Sequence, residues 1–302
     1  MRREPGFALA LVLVALVLIG ALTAGALFAA LQELRGGRNR QAALNAAAAA
    51  EEGLLTVLGA WDTRTLNTLA AGDSSVRSGV AVGGGSYHVT ATRLDESYFL
   101  LASEGRDRAG DARQAVGAFA ALAVPEPDAL AALIVGSPPS AALAALADGA
   151  DAAPDGWSCP PSLGLVPGVA VGATASDSAF FAAVAALAQS GATGVDSLPA
   201  EFAPGDLTLD GGRHSGLLVV GGDLFITGGA EVIGTVVVRG RLGFLGMGGR
   251  LTGLVLAGSA VLLPGASPPA PALRFSRCAA GRALRSAAPG GLLPSRAMGP
   301  LY

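Results

Sequence analysis

Reactive side chains are scarce in this chain. Histidine and cysteine occur twice each among 302 residues. His88 and His214 are far apart and have no cysteine or carboxylate at a metal-ligand spacing, so they read as surface or satisfied histidines rather than ligands. No G-x-S-x-G elbow, P-loop or Cys-x-x-Cys pair occurs, and "GRHSG" and "GDSS" resemble protease fragments by letter only. Gly-rich stretches such as "VVGGDLFITGG" are not followed by a helix start, which argues against a phosphate cradle. Asp206, Asp210 and Asp223 could line a cation site, but solvated turn aspartates are the simpler reading. The chain is therefore read as a non-enzyme with no cofactor and no metal. Charge is sparse as well: 14% of residues are charged and the net charge is −3, so the basic footprint of a nucleic-acid binder is missing.

What the chain has instead is one long apolar run. "GFALALVLVALVLIGALTAGALFAAL" follows the charged leader "MRREP" and ends before "QELRGGRNRQ". A secretory signal has an apolar region of about 7–15 residues, whereas a membrane span needs about 20. Phe7–Leu31 fits the span. Small-residue sites within "LTAGALFAAL" keep ordinary signal cleavage open as the alternative. Arginines flank the run on both sides, so the positive-inside rule is weak here. The short leader favours a cytoplasmic N-terminus and an extracytoplasmic body.

Beyond the span, Ala, Leu, Glu, Gln and Arg favour continued helix. Leu44, Ala47, Ala48, Glu51, Leu54, Leu55 and Leu58 form a one-sided pattern at spacings of three and four. Gly36 and Gly37 are the expected weak point. If unbroken, the helix from Phe7 to Leu58 would be about 75–80 Å long. The period then changes. Tyr87, Val89, Ala91 and Arg93 alternate with His88, Thr90, Thr92 and Leu94, and "SYFLLASEG" follows a turn at Asp95-Glu96, which predicts a β-hairpin. "RQAVGAFAALAV" is a candidate third strand. Three Ala-rich segments, "EPDALAALIVG", "PSAALAALADG" and "SDSAFFAAVAALAQSG", read as short helices between Pro and Gly punctuation. The last has Ser176 or Asp177 as its N-cap and Phe180, Phe181, Val184 and Leu187 as its packing face.

The C-terminal third repeats. Units beginning at Leu217, Thr235 and Leu254 align with a period of 18–19 residues, each holding two apolar runs with Gly-rich corners. "GDLTLDGGRHSG" looks like a partial coil before them. Fixed spacing with Gly at each corner indicates a β-solenoid, whose coils bury their faces only by stacking; an antiparallel meander with similar turns is the alternative. The fold class is therefore α+β. Its expected parts are a leader (1–6), a transmembrane or filament-core helix (7–31), an extension of that spine (32–72), a small antiparallel β region (73–124), a helical insertion (125–200), solenoid-like repeats (201–265) and a basic, Pro-rich tail (266–302) that wraps the body or is loosely ordered. Cys159 and Cys278 fall on the extracytoplasmic side in this topology, where a disulfide can persist. Closing a loop of about 120 residues would contribute about 4–5 kcal/mol in the chain-entropy model. Two unpaired thiols are the alternative.

The leader "MRREPG", the Gly6-Phe7 junction, the apolar span and "LQELRGGRNRQAALNAAAAAEEGL" together resemble type IV pilins, specifically minor pilins with a PilX-type N-terminal region. The resemblance covers residues 1–70 and extends loosely to 124. The Gly-cornered repeats look more like bactofilin coils. The pilin resemblance implies cleavage by a prepilin peptidase between Gly6 and Phe7 and methylation of the new N-terminal Phe7. It implies residence in the bacterial inner membrane as a single-pass protein, then transfer by the inner-membrane assembly platform into a surface filament, where apolar helices of other pilins bundle with this one. Leu11 departs from the family, which carries Glu at the fifth mature position to pair with the amine of the subunit ahead. A buried charge costs about 2.5–3.5 kcal/mol on insertion scales, so a subunit lacking it needs no neighbour ahead, which suggests a tip or initiating position. The expected function is a structural minor pilin or pseudopilin. The alternatives are a membrane-anchored polymer-forming scaffold built on the solenoid and an anchored enzyme, for which no residue constellation argues.

Overall fold

The structure is a computed structural model and describes residues 6–127, 129–159, 164–173, 177–190, 198–293 and 298–300. Helix α1 runs Gly6–Gly59, 54 residues, or about 80 Å at 1.5 Å per residue. Gly36 and Gly37 lie inside it without breaking it. Each glycine costs about 1 kcal/mol relative to Ala, and long flanking runs of helix formers outweigh that because propagation is cheap once a helix exists. The second half of α1 buries Ala46, Ala49, Ala50, Leu54 and Val57 against a sheet. The approach is close: a Cβ on Gly105 would stand 2.1 Å from the Ala46 carbonyl oxygen, so Gly105 lets helix and strand backbones meet.

After a short turn of helix, α2 (Thr63–Leu66), the chain forms an antiparallel meander of β1 (Ser74–Val80), β2 (Ser86–Arg93), β3 (Tyr98–Arg106) and β4 (Arg113–Leu122). The expected hairpin is β2–β3, and Asp95 fixes its turn by accepting the N–H groups of Ser97 and Tyr98 at 2.7 and 2.9 Å. The candidate third strand is β4. Val89, Ala91, Phe99, Leu101, Ala118 and Ala120 alternate onto the face under α1, as a half-buried sheet requires.

The segment expected to be a helical insertion is mixed. "DALAALIVG" ends in a strand, β5 (Leu133–Val135), not a helix. "PSAALAALADG" forms one helical turn, α3 (Ala141–Ala144), and then β6 (Ala147–Asp148). Strand β7 (Val169–Val171) follows. Only the third segment is a full helix, α4 (Ser178–Ser190). Asp177 accepts the Ala179 N–H at 2.8 Å at its start; Ser176 lies outside the described residues. The correction at β5 has a physical cause. Leu133, Ile134 and Val135 are 0% exposed, with one face in a core and the other under α4, and a β-branched pair buried on both faces suits a strand.

The repeats form a parallel stack: β8 (Ala200–Ala203), β9 (Leu207–Asp210), β10 (Arg213–Val220), β11 (Leu224–Thr227), β12 (Ala230–Phe244) and β13 (Gly249–Leu262). Leu217 pairs with Thr235 and Thr235 with Leu254, the same alignment the sequence repeats show. Strands β8 and β9 stack beneath β10 and β11, so the partial first coil is present. In the middle coil three straight segments are separated by a bend at Gly234 and a register shift between Val238 and Arg241. The bend is a glycine column. Gly216, Gly234 and Gly253 are in register with φ of 116°, 138° and 143°. A Cβ on Gly234 would stand 2.0 Å from the Gly216 oxygen, and one on Gly253 1.8 Å from the Gly234 oxygen. Leu218, Val220, Val236, Val238, Val255 and Ala257 point into the coil interior.

Of the two expectations for the tail, a wrap over the body or loose order, its described residues fit the first, and part of them goes further by completing the stack. Strand β14 (Leu273–Phe275) stacks on Leu251–Gly253, while β5 stacks on Val255–Ala257 of the same coil. The next coil is thus composite, built from two chain segments more than a hundred residues apart. Strand β6 then covers β14, and β7 covers β5. Helix α5 (Arg277–Ala287) buries Ala279, Ala280, Ala283, Leu284 and Ala287. With α4 it covers the outward Leu217, Val219, Val237, Leu254 and Leu256. The apolar runs "LLVV", "TVVV" and "LVLA" are continuous because both of their faces are buried. The chain finally returns to the meander, where β15 (Gly290–Leu292) and β16 (Met298–Pro300) pair with β4.

Candidate functional site: the bare spine and its anchorage

From Leu11 to Arg40 every residue of α1 is exposed. Its 18-residue apolar window has a mean hydropathy of 2.7 and is 0% buried. It is the one helix among the described residues long and apolar enough to cross a membrane. Leu11 is 58% exposed, and open space surrounds Gly20 and Gly25. Thr23 is the sole hydroxyl of the run, and it donates to the Ile19 and Gly20 carbonyl oxygens at 2.9 and 3.0 Å. No side-chain polar group from Leu11 to Leu31 therefore needs water, as burial in hydrocarbon or among like helices requires. Gly6 opens α1 and Phe7 follows it, whereas Met1–Pro5 lie outside the described residues.

A polar junction fixes the far end of the spine to the body. Trp61 stands edge-on to Phe99 with centroids 5.1 Å apart, and its indole donates to Asn67 at 2.8 Å. The Asn67 amide donates to the carbonyl oxygens of Arg285 and Ala288 at 2.7 and 2.8 Å, which satisfies the C-terminal end of α5. Arg93 donates to the Asn67 and Leu69 oxygens, both at 2.7 Å, and to those of Asp95 and Glu96. Arg285 pairs with Glu96 at 2.6 Å. Burial lowers the pKa of both guanidiniums, and each also feels other arginines, Arg285 in the case of Arg93. Sheet, helix α5 and spine are thereby locked together. Sequence reasoning missed this cluster; its signal was a tryptophan and an asparagine in a polar stretch just past the end of the helix.

Cys159, in the loop between β6 and β7, is joined to Cys278 in the first turn of α5, with Cα atoms 5.8 Å apart. The bond ties the end of the solenoid to the helix that covers its side. Beside it the Arg282 guanidinium lies 4.8 Å from the Trp157 ring centroid, and Arg282 donates to the Ser158 oxygen at 3.2 Å.

The remaining polar groups are dispersed. Ser78 meets His88 Nδ1 at 2.9 Å across β1 and β2, and Glu104 is the cross-strand neighbour of His88. The Glu104 carboxylate is engaged by Arg113 and Arg106, and Arg113 first of all holds it below the usual carboxylate range. The Ser78 and His88 side chains lie on the solvent face of the sheet. Asp206 accepts the Asp223 N–H at 2.7 Å, and Asp223 accepts the Arg241 N–H at 2.8 Å. Carboxylates thus cap the next coil up the stack. Asp210 sits at a different corner, close against Gly228. Among the described residues no three His, Cys, Asp or Glu side chains gather as a metal site. No protein family, curated protein or solved structure matches the chain.

Proposed function

We propose that this chain is a minor pilin or pseudopilin, a structural subunit of a type IV pilus or related secretion filament at its tip or initiation point. The observation that carries the reading is the division of labour along α1. One half is bare, apolar and internally satisfied, and the other half is packed on an antiparallel meander. A helix so divided serves first as a membrane anchor and then as a polymer core, because lipid tails and neighbouring apolar helices are equivalent surroundings for it. In this reading a prepilin peptidase removes residues 1–6, Phe7 becomes the methylated N-terminus, and the body lies outside the inner membrane. Leu11 offers no carboxylate to a subunit ahead. The bulk of the sheet and solenoid also suits a tip, since repeated heads of this size would crowd a shaft.

Quantitative proteomics of sheared filaments tests the placement. This chain should be scarce relative to the major subunit, and its loss should lower filament number more than filament strength. Near-equal amounts would contradict a tip position. Leu11→Glu should bring little gain in assembly, whereas a strong gain would put the subunit inside the shaft. A second reading, a membrane-anchored scaffold that polymerises through the solenoid, is favoured by the parallel stack from β8 to β13. Filaments assembled by the chain alone, without any other pilin, would select it.

A further inference from the structure

A cleft of about 360 Å³ lies between the end of α5, the stretch after α2 and the β2–β3 turn, within the range of about 300–1,000 Å³ typical of ligand sites. Three arginines line it, Arg93, Arg282 and Arg285, and Glu96 is the single carboxylate of the lining. The Asp95 carboxylate, next along the turn, is taken by the N–H groups of Ser97 and Tyr98. Leu69 and Leu198 are the only apolar side chains of the lining, so the cleft offers little to an apolar ligand.

Glu96 does not balance the arginines. Arg285 spends one guanidinium nitrogen on it at 2.6 Å, but the Glu96 side chain is 60% exposed, where such a pair is weakly held. Burial lowers the pKa of Arg93 and Arg285. Repulsion adds to it, from Arg285 at Arg93 and from Arg282 and Arg277 at Arg285, against the opposing pull of Glu96 and Asp95.

The three guanidiniums differ in what they have left to donate. Arg93 is spent on the carbonyl oxygens of Asn67, Leu69, Asp95 and Glu96. Arg282 engages one nitrogen with the Ser158 oxygen and rests against the Trp157 ring. The remaining nitrogens of Arg282 and Arg285 have no acceptor among the described residues. The two residues are three apart on α5 and so share one face of the helix. Neighbouring guanidiniums with unspent N–H groups match the oxygens of a phosphate or carboxylate group.

We propose that this cleft binds a small soluble oxyanion, a phosphate or a compact polycarboxylate, held by Arg282 and Arg285 and bridging α5 to the β2–β3 turn. A lipid headgroup shares the chemistry but not the place. About 40 Å of helix separates Leu31, the end of the apolar run, from Gly59, and the cleft is built beside that far end. The site is independent of the filament reading.

The test is isothermal titration of the full chain in neutral detergent micelles with sodium phosphate and with sodium citrate, each against sodium chloride of equal ionic strength. At least one of the two anions should half-saturate the chain at about 1 mM or below. Arg282→Gln, at an exposed position, should weaken binding about tenfold or more, the worth of one hydrogen bond to a charged group. Glu96→Gln removes the competing carboxylate and should tighten binding about threefold, a gain that misfolding does not mimic. Half-saturation by both anions only above about 1 mM, equal affinity of the Arg282→Gln chain, or a Glu96→Gln chain that binds no tighter would overturn the proposal. The same heat from sodium chloride would mark an adventitious ion only and overturn it as well. So would binding to phosphatidylglycerol vesicles without binding to phosphate or citrate, since that outcome gives the site to a lipid surface.

Discussion

Replacing Gly234 by Ala perturbs the solenoid at a corner where stacked backbones leave no room for a side chain. Gly234 has φ of 138°, a region an L side chain enters only at a cost of about 1–3 kcal/mol. The added methyl would also stand 2.0 Å from the Gly216 oxygen and 3.1 Å from the Ala283 Cβ of α5. The first of these neighbours is backbone held in the ladder, so the coil spacing or the seat of α5 must change. Overpacking of a filled interior costs about 1–3 kcal/mol more. The expected loss is about 2–6 kcal/mol, a large share of the about 5–15 kcal/mol of a typical protein. Gly265→Ala is the control. Its φ of 78° is also positive, but nothing lies within 4 Å of the added atom, so it should cost only about 1–2 kcal/mol. Urea titrations of the full chain in detergent, followed by tryptophan fluorescence and circular dichroism, give both values. A Gly234→Ala loss no larger than that of Gly265→Ala would refute the argument that stacked corners exclude a side chain.

Asn67→Ala strips the partner from the Arg285 and Ala288 carbonyl groups at the end of α5 and from the Trp61 indole; a loss of about 2–4 kcal/mol is expected from unsatisfied buried groups, and limited proteolysis should then cut the tail faster. Cys278→Ser opens the 119-residue loop and should cost up to about 4–5 kcal/mol in the chain-entropy model, read as a lower urea midpoint; an unchanged midpoint would show that the bond constrains nothing. Arg241 holds the Asp223 carboxyl below its usual value. A depressed folded pKa gives stability that is present above the unfolded value of about 3.9 and is lost as pH falls through the folded one. Asp223→Asn should therefore flatten the acid limb of the stability–pH curve below about pH 4, and an identical limb would contradict the pairing.

The parts of the fold legible in the sequence were those whose spatial period equals a sequence period. In a solenoid the residue stacked above is always one coil later, so aligning Leu217, Thr235 and Leu254 also aligned their strands. The spine was legible because one long helix carries its own pattern. Parts held by distant partners were not. Leu133–Val135 reads as the end of an Ala-Leu helix, and only β13 and α4, far along the chain, make it a strand. The tail reads as basic and Pro-rich because nothing local tells that Leu273–Phe275 completes a coil or that Ala279, Ala283 and Ala287 face an apolar wall. Strand β1 escaped for a different reason: its exposure on both faces leaves "SSVRSGV" without alternation. At the candidate site, the bare spine was legible from composition. The Trp61–Asn67–Arg93 junction was not, because its acceptors are mostly backbone carbonyls, those of Asn67 more than two hundred residues along the chain.

The account rests on α1 being kept whole while the short leader is removed. Mass spectrometry of the mature N-terminus, on protein isolated from its own membranes, tests this most directly. The account predicts a chain that starts at Phe7 with a methylated amine, and retention of residues 1–6 when Gly6 is replaced by a bulky residue. A mature chain that starts after Ala24 or Ala29 would make the apolar run a signal peptide and contradict the filament reading.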